Sequence, residues 1–513
     1  MKKTLRDSAA MRWVVLILLS GLTFSTYWFQ DFFGGLKGLM ETDMGFSSEE
    51  FGRLIGLTTV ANVFGMIIVG GIILDKWGVR IAGVAFGSLA VIGGAITAAA
   101  SYGFFGDSHS EMLNGMIVGR VLFGSGLEVM CVVATRTIVK WFKGYELALA
   151  MALNMGFGRL GSAMGIALSL DIAGGSVSPA VAFAATLIAI SLILFLVYLI
   201  FDVKLEKQSK VESEEQVEDE DFNFSDLVKL ITNKSFLYIA LLCVSFYAAV
   251  FPFIQYAPDL LINKFGFTDV LPESANIILF GSKTLGNSSV FIALFLFAIA
   301  ISAVPSYIKN INVRRGFMVA VVLLFIAFAY AISDVMAVWF HNGGKTASLI
   351  PLGTILFTPI FGNFVDKKGK AATLMIFGSL LLIFAHLSLS IFNNVTLAYF
   401  GLVSLGVAFS LVPAAMWPSV AKIVAENRLG TAYASMFTIQ NWGLALFFWG
   451  IGALLDFVNK GNIEAIRAGE MNYDYTIPIL VLVLLGVVSI FLSFMLRKAD
   501  KEQGYGLELP SNK

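Results

Sequence analysis

The chain alternates long apolar runs with short polar breaks, and those runs set its organisation. A helix crosses a hydrocarbon core with about 20 apolar residues. Such runs fall near 12–35, 52–74, 81–101, 114–139, 146–171 and 180–202, and then near 236–262, 289–308, 316–339, 346–365, 372–392, 396–424, 430–455 and 475–496. They predict an all-α membrane protein with fourteen transmembrane helices. A polar stretch from Lys204 to Asp226, acidic between Glu212 and Asp221, divides the series into six and eight. Low hydrophobicity and dense like charge make it a solvated tether. The chain therefore reads as an N-terminal bundle (1–203), a linker (204–235), a C-terminal bundle (236–498) and a tail (499–513).

Charge placement predicts the orientation. Most of the 35 Lys and Arg residues fall on the side that carries the amino terminus, so the positive-inside rule puts both termini and the linker in the cytoplasm. The turn Lys309–Arg315 must lie on the same side, and it is basic. The amino-terminal run lacks a small-residue cleavage site and reads as a retained first span. A prokaryotic inner membrane is the expected location. Composition then narrows the function. The chain is 58% hydrophobic and 14% charged, with mean hydropathy +0.82, against about 25% charged in soluble domains. Equal numbers of acidic and basic residues give no electrostatic footprint for nucleic acid. Cys131 and Cys243 both lie in apolar runs, and three histidines occur without HExxH or CxxC. No metal, disulfide framework or catalytic constellation is expected, so an enzyme is disfavoured.

An internal repeat is present. Gly71-Ile-Ile-Leu-Asp75-Lys76-Trp-Gly78 follows the second span, with Arg80 two places on. Gly362-Asn-Phe-Val-Asp366-Lys367-Lys-Gly369 follows the tenth, with Lys370 next. The two copies come into register if 265–344 is an inserted transmembrane hairpin in the second half, leaving six helices plus six. The small residues suit close helix approach, the acids can meet a helix's positive amino end, and the bases can pair across the bundle interface. A contact made in one state only would bias a two-state equilibrium, so Asp75, Lys76, Arg80, Asp366, Lys367 and Lys370 are candidate gating residues.

Two ionisable residues sit deep in apolar runs. Glu128 and Arg159 lie fifteen and sixteen residues from Lys143 in the turn between the fourth and fifth spans, and so at matching depth. A charge at the bilayer centre costs at least about 2.5–3.5 kcal/mol, which marks both as functional. A carboxylate and a fork-shaped guanidinium suit the two ends of a zwitterion. The alternatives are a mutual ion pair that rigidifies the hairpin, or a Glu128 that also carries a proton. Arg120 lies about 12 Å further out than Glu128, at the rise of a helix, and Asp31 reaches a similar height, so an Asp31–Arg120 pair is expected. Tyr27, Phe29, Tyr247, Gln255, Trp417, Gln440, Asn441 and Trp442 are further candidates for the cavity wall. Arg136 is expected to snorkel, His386 to pack, and Asp334 to face water. Asn287-Ser-Ser and Asn394-Val-Thr are formal glycosylation sequons.

The repeated motif resembles the signature of the major facilitator superfamily, which implies two six-helix bundles around a central cavity. Longer strings resemble the family of major facilitator superfamily domain-containing protein 1. They include Leu122–Glu128, Trp141–Glu146, Gly158–Ser162, Phe251–Ile254, Lys264–Phe267, Trp417–Ala421, Leu429–Tyr433 and Ile439–Gly443. They cover both halves and stop only at the 265–344 insertion, which the animal members lack. The resemblance implies dipeptide transport by alternating access, as a uniporter or coupled to protons, with Glu128 and Arg159 meeting the peptide's termini. It implies a monomer with no cofactor beyond a coupling proton. Other small zwitterions or organic anions, such as an amino acid, are the second reading, and a non-transporting receptor the third. The fifth span, Gly156–Gly165, lacks the proline and paired glycines of drug–proton antiporters, which argues against multidrug efflux.

Overall fold

The computed structural model describes residues 4–209, 230, 232–425 and 428–510, apart from the side chains of Asp75, Ala148 and Ser209. The described residues form helices with only two isolated β-bridges. The first bundle consists of α1 (Ala9–Asp31), α2 (Ser48–Val63, then Met66–Leu74 after a 51° bend), α3 (Lys76–Ser101), α4 (His109–Phe142), α5 (Leu147–Ala173) and α6 (Val177–Gln208). After the linker come α7 (Lys234–Phe265), α8 (Lys283–Ser302), α9 (Ile311–Ala331), α10 (Gly343–Lys368), α11 (Ala371–Ser390), α12 (Val395–Ile423), α13 (Leu429–Val458) and α14 (Thr476–Gln503).

Among the described residues, twelve helices are long and apolar enough to cross a membrane, or thirteen with the bent α2. The fourteenth predicted span is α5, a 27-residue helix outside that set. Asn154, Arg159 and four glycines dilute its apolarity, so its place in the bundle rests on packing rather than on hydropathy. Sequence signals fix several ends. Ser47 and Ser108 form capping boxes with Glu50 and Glu111, and Gly174, Gly266 and Gly504 take left-handed caps, as helix termini require.

Within the first bundle α1 packs on α5 and α6, and α3 on α4 and α6; in the second, α11 packs on α12 and α14, and α7 on α13 and α14. The bundles meet where α2 packs on α13, α5 on α10 and the end of α1 on α7. The α1–α5 contact depends on glycine: a Cβ on Gly161 would stand 2.1 Å from the carbonyl oxygen of Phe24. A large side chain there overpacks the seam, at a cost of about 1–3 kcal/mol. Gly161→Leu is expected to lower the melting temperature in detergent. Gly430→Leu, where nothing lies within 4 Å of the added atom, is expected to leave it unchanged.

The amino terminus of α1 and the end of α6 share one face, since Leu5 N–H donates to Gln208 at 2.8 Å. The start of α7 meets the tail through Asn233 and Tyr505 at 2.7 Å. Because the outer ends of α1 and α7 also touch, both starts lie on this terminal face, and Asp31 and Asp259 lie toward the opposite, far face.

The inserted segment closes on itself at the far face. Thr268 N–H donates to His341 O at 2.8 Å and Gly343 N–H to Thr268 O at 2.9 Å, so the strands entering and leaving the insertion lie side by side. Its first helix, α8, packs on both α5 and α10. The sequon residue Asn287 is buried and holds Asn276 at 2.8 Å, so that sequon offers no accessible acceptor. Asn394 is exposed and caps α12. Asp334 is exposed, and His386 is a buried packing residue bonded to Leu382 O at 2.9 Å.

Candidate functional site

A central cavity of about 170 Å³ lies between the bundles and receives side chains from α1, α2, α4, α5, α7, α12 and α13. Glu128 and Arg159 both line it. No ion pair within 4 Å joins them, and neither has a hydrogen-bonding partner in the protein among the described residues. The mutual-pair alternative is therefore not the arrangement found. Arg159 is placed by rings: its guanidinium carbon stands 4.3 Å from the centroid of Phe409 and 5.9 Å from those of Tyr27 and Phe251. Aromatic faces attract a cation without neutralising it, so its donors stay directed at the cavity.

Tyr27, Tyr247, Trp417, Gln440 and Asn441 also line the cavity. The Trp417 indole N–H donates to Tyr247 Oη at 3.0 Å, and Trp417 stacks on Phe437 at 4.8 Å. The aromatic wall on the second bundle is thus fixed by its own contacts. Three predicted wall residues lie elsewhere. Phe29 is buried against Phe123 at 4.5 Å. Gln255 reaches past the cavity to Asp31, at 2.8 Å. Trp442 is 55% exposed and donates to Val63 O. One turn of helix separates inward from outward faces, and a span's apolar pattern does not mark which face is which. Sequence reasoning passed over Gln30, Thr58, Thr59, Asn62, Met155 and Phe251, which complete much of the wall. The polar set 58, 59 and 62 follows helical spacing on an apolar span, and that signal was available.

The expected Asp31–Arg120 pair is absent. Arg120 is fully buried and donates to Phe29 O at 2.6 Å, Thr58 Oγ1 at 2.8 Å and Gln30 O at 3.3 Å. It satisfies carbonyls at the end of α1. Asp31 turns the other way and accepts from Ser162 at 2.5 Å and Gln255 at 2.8 Å, which ties α1 to α5 and to the other bundle.

Closure of the far side is built from charges. Lys37 pairs with Asp259 at 2.9 Å, and Tyr473 donates to Glu41 at 2.6 Å. Asp456 on α13 accepts from the N–H groups of Ser48 and Glu49 at 3.2 and 2.7 Å, placing an acid on the positive amino end of α2. Lys345, 4% exposed, donates to Asp171 at 2.5 Å and to Ala167 O at 2.6 Å. Asn287 of the inserted hairpin reaches the same Asp171 at 3.4 Å. Each of these contacts joins the two halves.

The repeated motif sits on the terminal face. Gly78 and Gly369 occupy equivalent places and have φ of 76° and 71°, the turn conformation glycine permits. Gly71 and Gly362 are expected at close approaches, but a Cβ added to either would meet no atom within 4 Å. Arg80 pairs with Asp202 at 2.6 Å and Glu206 at 2.5 Å on α6, within its own bundle rather than across the interface. Lys76, Asp366, Lys367 and Lys370 are exposed. The Asp75 side chain lies outside the described residues.

A family model, Major Facilitator Superfamily, matches residues 19–350. The chain belongs to this superfamily. It is therefore a multi-pass membrane transporter and not an enzyme. The chain is 28% identical over 459 residues to the lysosomal dipeptide transporter MFSD1 of Danio rerio, covering 87% of this chain and 81% of the relative. Among solved structures, a D-xylose–proton symporter aligns with TM-score 0.59 at 13% identity, covering 96% of this chain and 98% of the other. A bacterial homolog of the human lysosomal transporter Spinster, in an inward-facing and occupied conformation, aligns with TM-score 0.56 at 13% identity and the same coverage. These structures share the fold.

Proposed function

We propose that the chain carries dipeptides or short peptides across a membrane by alternating access. The carrying observation is that Glu128 and Arg159, opposite in charge and without an ion-pair partner among the described residues, face one cavity. A dipeptide zwitterion supplies both missing partners, the ammonium for Glu128 and the carboxylate for Arg159. The aromatic wall adds contact without demanding one side chain, which suits a carrier of many dipeptides. The similarity to dipeptide transporters along most of the chain supports the same substrate class. The contacts that join the halves at the far side support a state in which the cavity is reached from the terminal face. The Lys/Arg bias supports a cytoplasmic placement of that face, and the membrane proposed is a prokaryotic inner membrane.

The test is uptake into liposomes. Dipeptides are expected to raise the melting temperature and to be taken up or exchanged, while free amino acids do neither. Binding without uptake or exchange would instead fit a receptor. One observation favours proton coupling: Glu128 has no counter-ion among the described residues and can carry a proton when no ammonium is present. Its expected signature is accumulation driven by a pH gradient and lost in Glu128→Gln.

A further inference from the structure

The inserted hairpin does not sit flush on the second bundle. Its second helix, α9, has one buried residue, Val321, and packs chiefly on α8. Between α9, α8, α10 and α12 runs a groove of about 460 Å³, walled by Phe297, Val322, Phe325, Leu356 and Val403 among others. Tyr399 is the one polar-tipped side chain among the lining residues, and its hydroxyl is already bonded to Phe340 O. An extended peptide inserted here would leave its amide groups unsatisfied, which a membrane interior penalises heavily. A hydrocarbon chain needs no polar partner from this wall, and the basic groups at one end of the groove favour an occupant with an anionic head.

One end of the groove is charged. Ile301, which lines it, is near the end of α8 and leads into the turn Lys309–Arg315 on the terminal face, where Tyr307 lies beside Glu146 and Leu149. Lys309 and Arg315 are exposed and Arg314 is half-buried. None of the three has an ion-pair partner among the described residues, whereas Glu146 is held by Arg12 at 3.0 Å. Val321 and Phe325 lie about 9 and 15 Å along the helix from Arg315 at its rise per residue. Basic groups at the membrane surface attract anionic headgroups, and here they adjoin the mouth of an apolar slot.

We infer that this groove holds an acyl chain of one anionic phospholipid, with its phosphate against Arg314 and Arg315. The lipid fills the gap between the hairpin and the bundle and makes α9 part of the folded unit. The test is native mass spectrometry of the full-length protein after extensive detergent washing and incubation with mixed phosphatidylglycerol and phosphatidylcholine. One retained phosphatidylglycerol per chain is expected. The filled-groove variant A298W/V322W should reduce retention at least about ten-fold, and R314Q/R315Q should erase the preference for the anionic lipid. Phosphatidylglycerol with a diazirine in its acyl chain should label wild-type peptides spanning 294–301 and 321–325, a readout that does not depend on variants folding. Equal retention by wild type and A298W/V322W, labelling elsewhere, or a sterol or second protein copy in the groove would overturn the inference.

Discussion

Arg159→Ala is expected to abolish dipeptide-induced thermal stabilisation and to reduce apparent affinity about 30-fold or more. That follows from the roughly 2–5 kcal/mol lost when one partner of a buried charge pair is truncated, at tenfold per 1.4 kcal/mol. The protein itself should remain as stable as wild type, because Arg159 forms no ion pair among the described residues. Arg159→Lys should give an intermediate loss, since an ammonium supplies the charge but not the two-pronged geometry. Blocked substrates then assign each end. Wild type should reject both N-acetylated and C-amidated dipeptides. Glu128→Gln should lose its discrimination against the N-acetylated form while still rejecting the amide, and Arg159→Ala should show the converse. Equal discrimination in both variants would mean that the two residues do not divide the substrate as proposed.

The residues in that test were legible because a charge in an apolar run is costly and therefore conspicuous, and a turn of known position sets its depth. The helices were legible for a related reason. Each span must satisfy its backbone internally, so length and hydropathy alone point to the twelve helices, or thirteen counting the bent α2, that are long and apolar enough to cross a membrane among the described residues, while α5 is a helix outside that set. Rotation about the helix axis was not legible. Glu128 and Arg159 share a depth, yet they face the cavity rather than each other, and Asp31 turns toward Ser162 and Gln255 instead of Arg120. Nor was the far closure visible. Lys37 and Lys345 stand near span ends, where a lysine ordinarily reaches water. Both are buried, at 2% and 4% exposure, because groups from the opposite half close over them. Sequence periodicity describes one helix against its own surroundings. A contact between halves depends on a relative placement that no local pattern records.

The second large effect is expected at that closure. Lys345 Nζ meets Asp171 and the Ala167 carbonyl, and Asn287 supplies Asp171 with another donor. Lys345→Ala leaves the part-buried Asp171 carboxylate and the Ala167 carbonyl without the buried lysine that joins them. Breaking a buried pair in this way costs roughly 3–5 kcal/mol. The cost falls on the far-closed state alone, because separation of α5 from α10 lets water reach the same groups. A difference of that size between two states shifts their ratio by about 100-fold or more. Spin labels at the exposed positions Thr42 and Lys460, one on each half at the far face, should report it as a new population at longer distance. The exchange Asp171→Lys with Lys345→Asp should recover the closed population only in part, since an aspartate cannot donate to Ala167 O. Asn287→Ala removes the hairpin's hydrogen bond to Asp171, worth about 1 kcal/mol, together with its bonds to Asn276 and the Ile277 N–H inside the hairpin; only the first joins the halves, so the ratio should move only a few-fold. Its effect matters for a different reason. Asn287 belongs to the inserted hairpin, and any shift would make that hairpin a participant in closure. An unchanged distance distribution in Lys345→Ala would show that the remaining contacts, Lys37 with Asp259 and Asp456 with the start of α2, hold the far side without it.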